Sequence, residues 1–321
     1  MLENSKRFRY YIPLKPTKFP TFLGLLAIIA WSTSIAVTRS TAEKMGTLNM
    51  AFFNLLVSGA LLLLAQGLIY KKELFSKFAR LPFTYFSRVG SFMIVYMVLF
   101  SLAVGEASTR ETVIVIGIIN YLWPGLTFLF SIPILKKKAK YSALIPGILA
   151  AFAGTTLALL KGNQVSLTGL QTALKKDAFP FLLALLAAVS WAIYSNMTHK
   201  FKTPEDKVAM PLFLLTAGFV VLILILMKEK TPRFNLPGYQ FLELLYLAVF
   251  PTALAYLFWD QAMKHGNKNL VTTFSYLTPL ASTLISGLYL DVNLGIDFGL
   301  AALLVIGGAF LCKWSIDKKI E

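Results

Sequence analysis

The chain has 321 residues, of which 57% are hydrophobic and 14% are charged, and its net charge is +16. A soluble domain carries about 25% charged residues, and a chain this apolar would expose too much hydrophobic surface to water. The composition therefore excludes an ordinary soluble protein. One cysteine, Cys312, also excludes an internal disulfide framework and a cysteine-ligated zinc site.

Long apolar runs follow one another along the chain. A helix needs about 20 apolar residues to cross the hydrocarbon core of a bilayer. The residues before the first run are basic and lack a signal-peptide pattern, so we expect that run to be retained as a helix. The sequence predicts ten membrane helices, over residues 19–38, 47–70, 83–104, 112–135, 142–160, 179–198, 208–227, 239–263, 269–289 and 295–314.

Lysine and arginine are distributed unevenly between the two sets of loops. If the N-terminus is cytoplasmic, the cytoplasmic segments hold more than twice as many basic residues as the outer loops. By the positive-inside rule, this predicts a multi-pass membrane protein with both termini in the cytoplasm. The basic excess suits anionic lipid headgroups, and nucleic acid is not an expected partner.

Short motifs recur between the two halves of the chain. Ala30-Trp31-Ser32 corresponds to Ser190-Trp191-Ala192, and Asn120–Pro124 corresponds to Ser275–Pro279. Because five is odd, two consecutive five-helix units lie in the membrane in opposite orientations. We expect the linker to hold a surface helix capped by Ser166 or Thr168. The predicted division is a basic cytoplasmic tail (1–18), a first repeat (19–160), an extracytoplasmic linker (161–178), a second repeat (179–314) and a cytoplasmic tail (315–321).

Pro124 and Pro279 interrupt corresponding helices of the two halves. Proline removes an amide donor and clashes with the carbonyl four residues back, which belongs to Asn120 or Ser275. Paired interruptions of this kind indicate a transporter binding site, and we expect both prolines to act as hinges. The alternatives are ordinary kinks satisfied by neighbouring helices and a polar stripe that only packs helices.

Tryptophan and tyrosine residues are frequent within the predicted spans. Trp31 and Trp191 are about two-thirds of the way through their spans, where an interfacial aromatic belt explains them less well. A cavity lined by such side chains would suit a flat apolar or cationic solute. The aromatic-belt interpretation remains open for the other residues.

Charged residues within the spans are few. Asp260 and Glu111 could take a coupling proton, although solvation at the interface also explains them. No acidic chain crosses the membrane, so proton coupling is not visible in the sequence. There is no histidine pair with metal-ligand spacing and no phosphate loop, so we predict neither an enzyme nor a bound metal or cofactor.

The motifs resemble those of the bacterial aromatic amino acid exporter family. The run Gly117–Thr127 carries this likeness, which is specific at Asn120–Pro124 and weaker elsewhere, as at Ser190–Tyr194 and Ser275–Pro279. The family belongs to the drug/metabolite transporter superfamily, in the branch with two EamA-type repeats. Two features depart from it: Asp260 stands where asparagine is expected, and the tail 1–18 is long and basic.

This resemblance implies an all-α membrane protein whose ten helices form two inverted EamA-type repeats around a central cavity. It implies a secondary transporter that exports aromatic and some other neutral amino acids by alternating access. Alternatives are a broad-specificity drug or metabolite exporter, a membrane-embedded enzyme and a non-transporting scaffold. Its small-molecule substrate is the expected partner beside the bilayer, and a monomer is the expected form. The substrate-binding residues it implies are Trp31, Ser32, Tyr96, Asn120, Tyr121, Trp123, Trp191, Tyr194, Tyr256 and Ser275.

Overall fold

The computed structural model describes residues 17–162, 164–229, 231–232, 238–289 and 295–317. Most of the predicted N-terminal tail, residues 1–16, and residues 318–321 of the C-terminal tail lie outside this part. The described residues form helices and turns without a β-strand, so the all-α prediction is confirmed for them.

The helices of the first half are joined mostly by short turns. Between α5 and α6 lies a π-helical turn, Phe86–Gly90. The helices are α1 (Lys18–Ser32), α2 (Ser34–Met45), α3 (Thr47–Tyr70), α4 (Glu73–Arg80), α5 (Phe83–Tyr85), α6 (Ser91–Gly105), α7 (Arg110–Asn120), α8 (Trp123–Leu135) and α9 (Tyr141–Gly162).

The helices of the second half begin with one in the linker. A 3₁₀ turn, Asp206–Val208, precedes α12, and a π-helical segment, Ala248–Leu254, joins α13 to α14. The helices are α10 (Leu167–Lys176), α11 (Ala178–Lys200), α12 (Ala209–Glu229), α13 (Gly238–Leu247), α14 (Ala255–His265), α15 (Lys268–Ser275), α16 (Thr278–Tyr289) and α17 (Gly295–Asp317).

Eight helical segments of the described chain are long and apolar enough to cross a membrane. A further helix, Lys18–Ser32, is apolar but shorter. Many large apolar side chains stay exposed on these segments, including Leu64, Leu68 and Leu303. Such surface is stable in lipid but not in water. The eight segments are Thr47–Tyr70, Phe83–Gly105, Glu111–Leu135, Tyr141–Gly162, Ala178–Lys200, Asp206–Lys228, Gly238–His265 and Ile296–Ile316.

The helices around the two prolines are interrupted in the same way. The first interruption comprises Tyr121 and Leu122, and α8 starts again with Pro124 at its second residue. The second comprises Tyr276 and Leu277, and Pro279 is the second residue of α16. A proline in the first turn costs nothing there because its missing amide would have had no helical partner.

The first predicted span is longer than expected and is broken. The prediction ended it at residue 38, but the helical chain continues through α2 to Met45, with a break at Thr33. It ends at Gly46, whose φ of 80° is favourable only for glycine. Polar residues after residue 38 masked this extension in the sequence, because hydropathy does not indicate where a polar helix continues.

The helix ends meet on two opposite sides of the bundle. On the first, which we call the terminal side, Thr17 N donates to His265 O at 3.0 Å and Lys140 N donates to Ser315 O at 3.1 Å. On the second, which we call the linker side, Lys161 pairs with Asp297 at 2.9 Å. Helices α9 and α17 therefore run in opposite directions between these two sides.

The predicted linker helix is present as α10 on the linker side. Ser166 caps it by accepting a hydrogen bond from Gly169 N at 3.0 Å, which confirms one of the two predicted caps. Asp177 follows α10 and accepts from Ser108 at 2.6 Å and Thr112 at 2.5 Å. These hydroxyl groups lower the pKa of the Asp177 carboxyl below its usual value. They fix the linker to the start of α7.

Helices α9 and α17 pack with their backbones in contact. A Cβ atom at Gly154 would lie 2.7 Å from Ala301 O, and one at Gly308 would lie 2.5 Å from Gly147 O. Both contacts are with backbone atoms, which cannot rotate away. Small residues at these positions allow the close helix approach that stabilises membrane bundles.

We expect Gly308→Leu to lower stability by about 3 kcal/mol, because overpacking against backbone forces the two helices apart. Gly307→Leu is the matched control, since a Cβ atom at Gly307 meets no atom within 4 Å. The thermal midpoint of monodisperse protein in detergent, followed by size-exclusion chromatography, measures the difference. Equal midpoints for the two variants would contradict this packing.

Candidate functional site

The middle of the bundle holds a continuous group of aromatic side chains, which we call the aromatic centre. Its rings are in edge or tilted contact, with centroids 5.4 Å apart for Trp31 and Trp259, 5.1 Å for Trp123 and Trp259, and 4.7 Å for Tyr96 and Trp191. Helices α1, α6, α8, α11 and α14 supply the members, so both halves of the chain contribute. The aromatic centre consists of Trp31, Tyr96, Trp123, Trp191, Tyr194, Tyr256 and Trp259.

Part of the aromatic centre is accessible although it lies deep in the protein. Trp123, Trp191 and Trp259 are buried. Trp31, Tyr96 and Tyr256 keep part of their surface accessible, and so does Tyr121, which lies near Tyr96. The aromatic centre therefore combines fully buried rings with rings that keep part of their surface accessible.

Two of the four tryptophan indole N–H groups in the aromatic centre have partners on other helices, and these hydrogen bonds hold the helices together. Trp31 Nε1 donates to Pro251 O at 2.9 Å, which joins α1 to the π-helical segment. Trp259 Nε1 donates to Ser195 Oγ at 3.1 Å, which joins α14 to α11. The aromatic centre is therefore a fixed structure and not a loose apolar cluster.

A donor and an acceptor beside Tyr96 lack partners. Trp191 Nε1 and Asn120 Oδ1 are buried and form no hydrogen bond with any described residue. The Tyr96 ring contacts Trp191, and its hydroxyl lies close to the side chains of Asn120 and Tyr256. An unpaired buried polar atom costs about 1–3 kcal/mol, so the two atoms are suited to a bound polar group.

The structure gathers most of the predicted binding residues at this one place. Ser32 and Ser275 are buried at its edge, where their hydroxyls donate to backbone carbonyls of Ile28 at 2.8 Å and Thr272 at 2.7 Å. The predicted binding residues did not include Trp259, although it is one of the aromatic residues within the predicted spans; it is fully buried among the other rings. Its position one turn after Tyr256 was the available signal, because residues three apart share a helix face.

A buried ionic cluster lies between the aromatic centre and the terminal side. Lys264 Nζ pairs with Asp260 Oδ2 at 2.5 Å and with Asp206 Oδ1 at 3.2 Å, and all three side chains are at most 4% exposed. Asp260 Oδ1 also accepts from Tyr194 at 2.9 Å and Thr198 at 2.7 Å. Two carboxylates thus share one ammonium group, which leaves the cluster one negative charge in excess if all three are ionised.

The ionic cluster is joined directly to the aromatic centre. Tyr194 donates to Asp260, and its ring centroid lies 5.4 Å from that of Trp191. Glu111, the other carboxylate considered for coupling, is in the first turn of α7, against Gly169 on the linker side. The charge count placed Lys264 in a cytoplasmic loop, and Asp206 was not singled out in the sequence. The spacing of Asp260 and Lys264, four residues apart on a helix, was the only local signal.

Among the described residues, no group of three histidine, cysteine, aspartate or glutamate side chains is placed to hold a metal ion. The polar and aromatic groups are instead enclosed by helices whose outer surfaces are apolar. Paired helix interruptions beside polar and aromatic groups inside a bundle of apolar helices are typical of a membrane transporter.

The family model described as "EamA-like transporter family" matches residues 18–160 and 178–313. The chain therefore belongs to the EamA-like transporter family and is a multi-pass membrane protein. Three similar relatives carry the name "aromatic amino acid exporter YddG". The protein of Salmonella typhimurium is 30% identical over 93% of this chain and 98% of its own length.

The other two relatives are similarly complete matches. The Escherichia coli K12 protein is 28% identical over 93% of this chain and 98% of its own length. The Ancylobacter novellus protein is 29% identical over 90% and 95%. A solved crystal structure has the same fold, with a TM-score of 0.75, 22% identity and coverage of 94% of this chain and 99% of its own.

Proposed function

We propose that the protein exports aromatic and some other neutral amino acids across the bacterial inner membrane. The names of three relatives that match at least 90% of the chain support this function. The aromatic centre supports it independently, because aromatic rings are worth about 0.5–1.5 kcal/mol per well-oriented pair beyond the area they bury.

One observation carries the proposal most directly. The unpaired acceptor, Asn120 Oδ1, and the unpaired donor, Trp191 Nε1, flank Tyr96 beside accessible aromatic surface. An aromatic amino acid is a zwitterion with a flat side chain. Its ammonium group can donate to Asn120, its carboxylate can accept from Trp191, and its ring can stack on Tyr96 or Tyr256.

The arrangement of the helices supports a transport cycle by alternating access. We propose ten crossings in two inverted repeats, residues 19–160 and 179–314, with the terminal side in the cytoplasm. In this scheme the eight long apolar segments supply eight crossings. The two further crossings are α1 with α2 and α15 with α16. The interruptions beside Pro124 and Pro279 serve as hinges about which the repeats rock to give alternating access.

We propose Asp260, together with Asp206 and Lys264, as the coupling site. Buried ionisable groups within membrane helices are costly and are usually functional. Tyr194 links this cluster to Trp191, so a proton on either carboxylate and a solute in the aromatic centre can influence each other. Glu111 lies on the opposite side and has no such link; we assign it no role in this scheme.

Transport into proteoliposomes tests the substrate. We expect labelled phenylalanine, tyrosine and tryptophan to enter at rates at least about tenfold above empty liposomes. Competition by aromatic cations and nucleosides at similar concentrations would favour the broad-specificity exporter, for which the tryptophan faces are also suited. Absence of transport by monodisperse, folded protein would reject export of these solutes.

A pH-sensitive dye trapped in the same vesicles tests the coupling. Phenylalanine transport by the wild type should move protons, and Asp260→Asn should transport phenylalanine without moving them. Phenylalanine transport by the wild type with no proton movement would establish facilitated transport and reject the coupling site.

A further inference from the structure

Lys264 and Lys268 are four residues apart in the chain and are both buried, but their surroundings differ. Lys264 has two carboxylate partners. Lys268 is 6% exposed, and no carboxylate of the described residues lies within ion-pair distance of it. The charged group that acts on it is another cation, Lys137.

Within the described part of the chain, the Lys268 ammonium group donates to one side chain, at Asn196 Oδ1. Asn196 is fully buried, and its amide group is held by Thr127 O at 3.0 Å and Ala192 O at 2.9 Å. Asn196 therefore cannot turn away from Lys268. An ammonium group has three donors, so two remain beyond this contact.

A second polar group beside Lys268 also lacks a partner. Thr272 lies one turn further along the same face of α15, is fully buried, and its Oγ1 has no hydrogen bond with a described residue. Every unused group here is a donor. A buried cation without a counter-ion costs several kcal/mol, which an anion bound between these donors would offset.

We propose that Lys268 and Thr272 form an oxyanion-binding site on the terminal side, with Asn196 holding the Lys268 ammonium group in place. This site binds the carboxylate of the solute before the solute reaches the aromatic centre. This rests on the proposed function for the identity of the solute. Lys268 and Ser275 are seven residues apart on α15, about 10 Å along a helix, so the site lies roughly two turns from the kink. Hydrogen bonds lead from Asn196 to Thr127 O, and from Thr127 Oγ1 to Trp123 O at 2.7 Å.

The same chemistry could come from a lipid phosphate, which the experiment distinguishes. Phenylalanine and phenethylamine, an aromatic amine without a carboxylate, are compared in vesicles with and without phosphatidylglycerol. Lys268→Met should lower phenylalanine transport about tenfold and leave phenethylamine transport unchanged, and Lys268→Arg should retain the preference. Lys138→Met is the control, since Lys138 is an exposed lysine near Lys137.

The results for the two solutes and the two lipid compositions distinguish a solute carboxylate from a lipid phosphate as the ligand. If Lys268→Met removes a dependence on phosphatidylglycerol but not the preference for phenylalanine, the oxyanion site stands and its ligand is a lipid phosphate. Equal loss for both solutes, or no change in either solute or lipid dependence, overturns the site. Lys268→Met also leaves Asn196 Oδ1 without its hydrogen bond, so transport rates are normalised to folded protein.

A binding measurement keeps the site testable if the proposed function fails. When the wild type transports neither solute, thermal stabilisation by benzoate is measured instead. Benzoate that stabilises the wild type but not Lys268→Met supports the site without the transport assignment. Equal stabilisation of both proteins, or of neither, overturns the site.

Discussion

Lys264→Met is expected to destabilise the protein by about 3–5 kcal/mol, the usual cost of removing one partner from a buried ion pair. Lys264 pairs with both Asp206 and Asp260, and all three side chains are buried. Without it, two carboxylates remain close together in a water-excluded place. We therefore expect a clear fall in the thermal midpoint of the protein in detergent.

Two further variants make this expectation specific. Lys207→Met removes an exposed lysine from the same side and should leave the midpoint unchanged. The double variant Asp206→Asn, Lys264→Met should recover part of the loss, because Asp260 keeps its bonds from Tyr194 and Thr198. A midpoint for Lys264→Met like that of Lys207→Met would show that the cluster does not stabilise the terminal side.

Trp191→Phe is expected to lower phenylalanine transport by about tenfold or more while it changes stability little. The indole N–H group of Trp191 has no partner among the described residues, so its loss breaks no hydrogen bond of the protein without solute. A hydrogen bond to a charged group is worth about 1.5–3 kcal/mol, and 1.4 kcal/mol corresponds to a factor of ten. Initial rates in proteoliposomes, normalised to folded protein, measure the effect.

Trp259→Phe is the matched control, since it removes the same atoms from a neighbouring ring. Trp259 Nε1 donates to Ser195 Oγ at 3.1 Å, so this variant should lose about 1 kcal/mol of stability. Its transport should fall less than that of Trp191→Phe. If the two variants transport phenylalanine at equal rates, the indole N–H group of Trp191 does not bind the solute.

The broad class of the protein could be predicted well, and the first span shows where prediction failed. An uncharged run of about 20 residues is stable in a bilayer only as a helix, so the predicted bounds of the apolar segments are close to those of the observed helices. The helix through residues 39–45 was missed because it is polar, and its end depends on the backbone conformation of Gly46. Ser166 could be predicted as a cap because capping is local.

The sequence by itself determined a multi-pass, all-helical membrane protein with transporter motifs, because run length, charge asymmetry and paired prolines act locally or through the bilayer. Tertiary structure alone decided the membership of the site. Helices distant in the chain pack together, so that Trp259 joins the aromatic centre and Asp206 reaches Lys264, while Lys268 pairs with no carboxylate that the structure describes. Spacing along one helix predicts which side chains share a face, but not which partners another helix brings to that face. The aromatic pattern thus indicated a solute site, and packing determined that one donor and one acceptor in it are left unpaired.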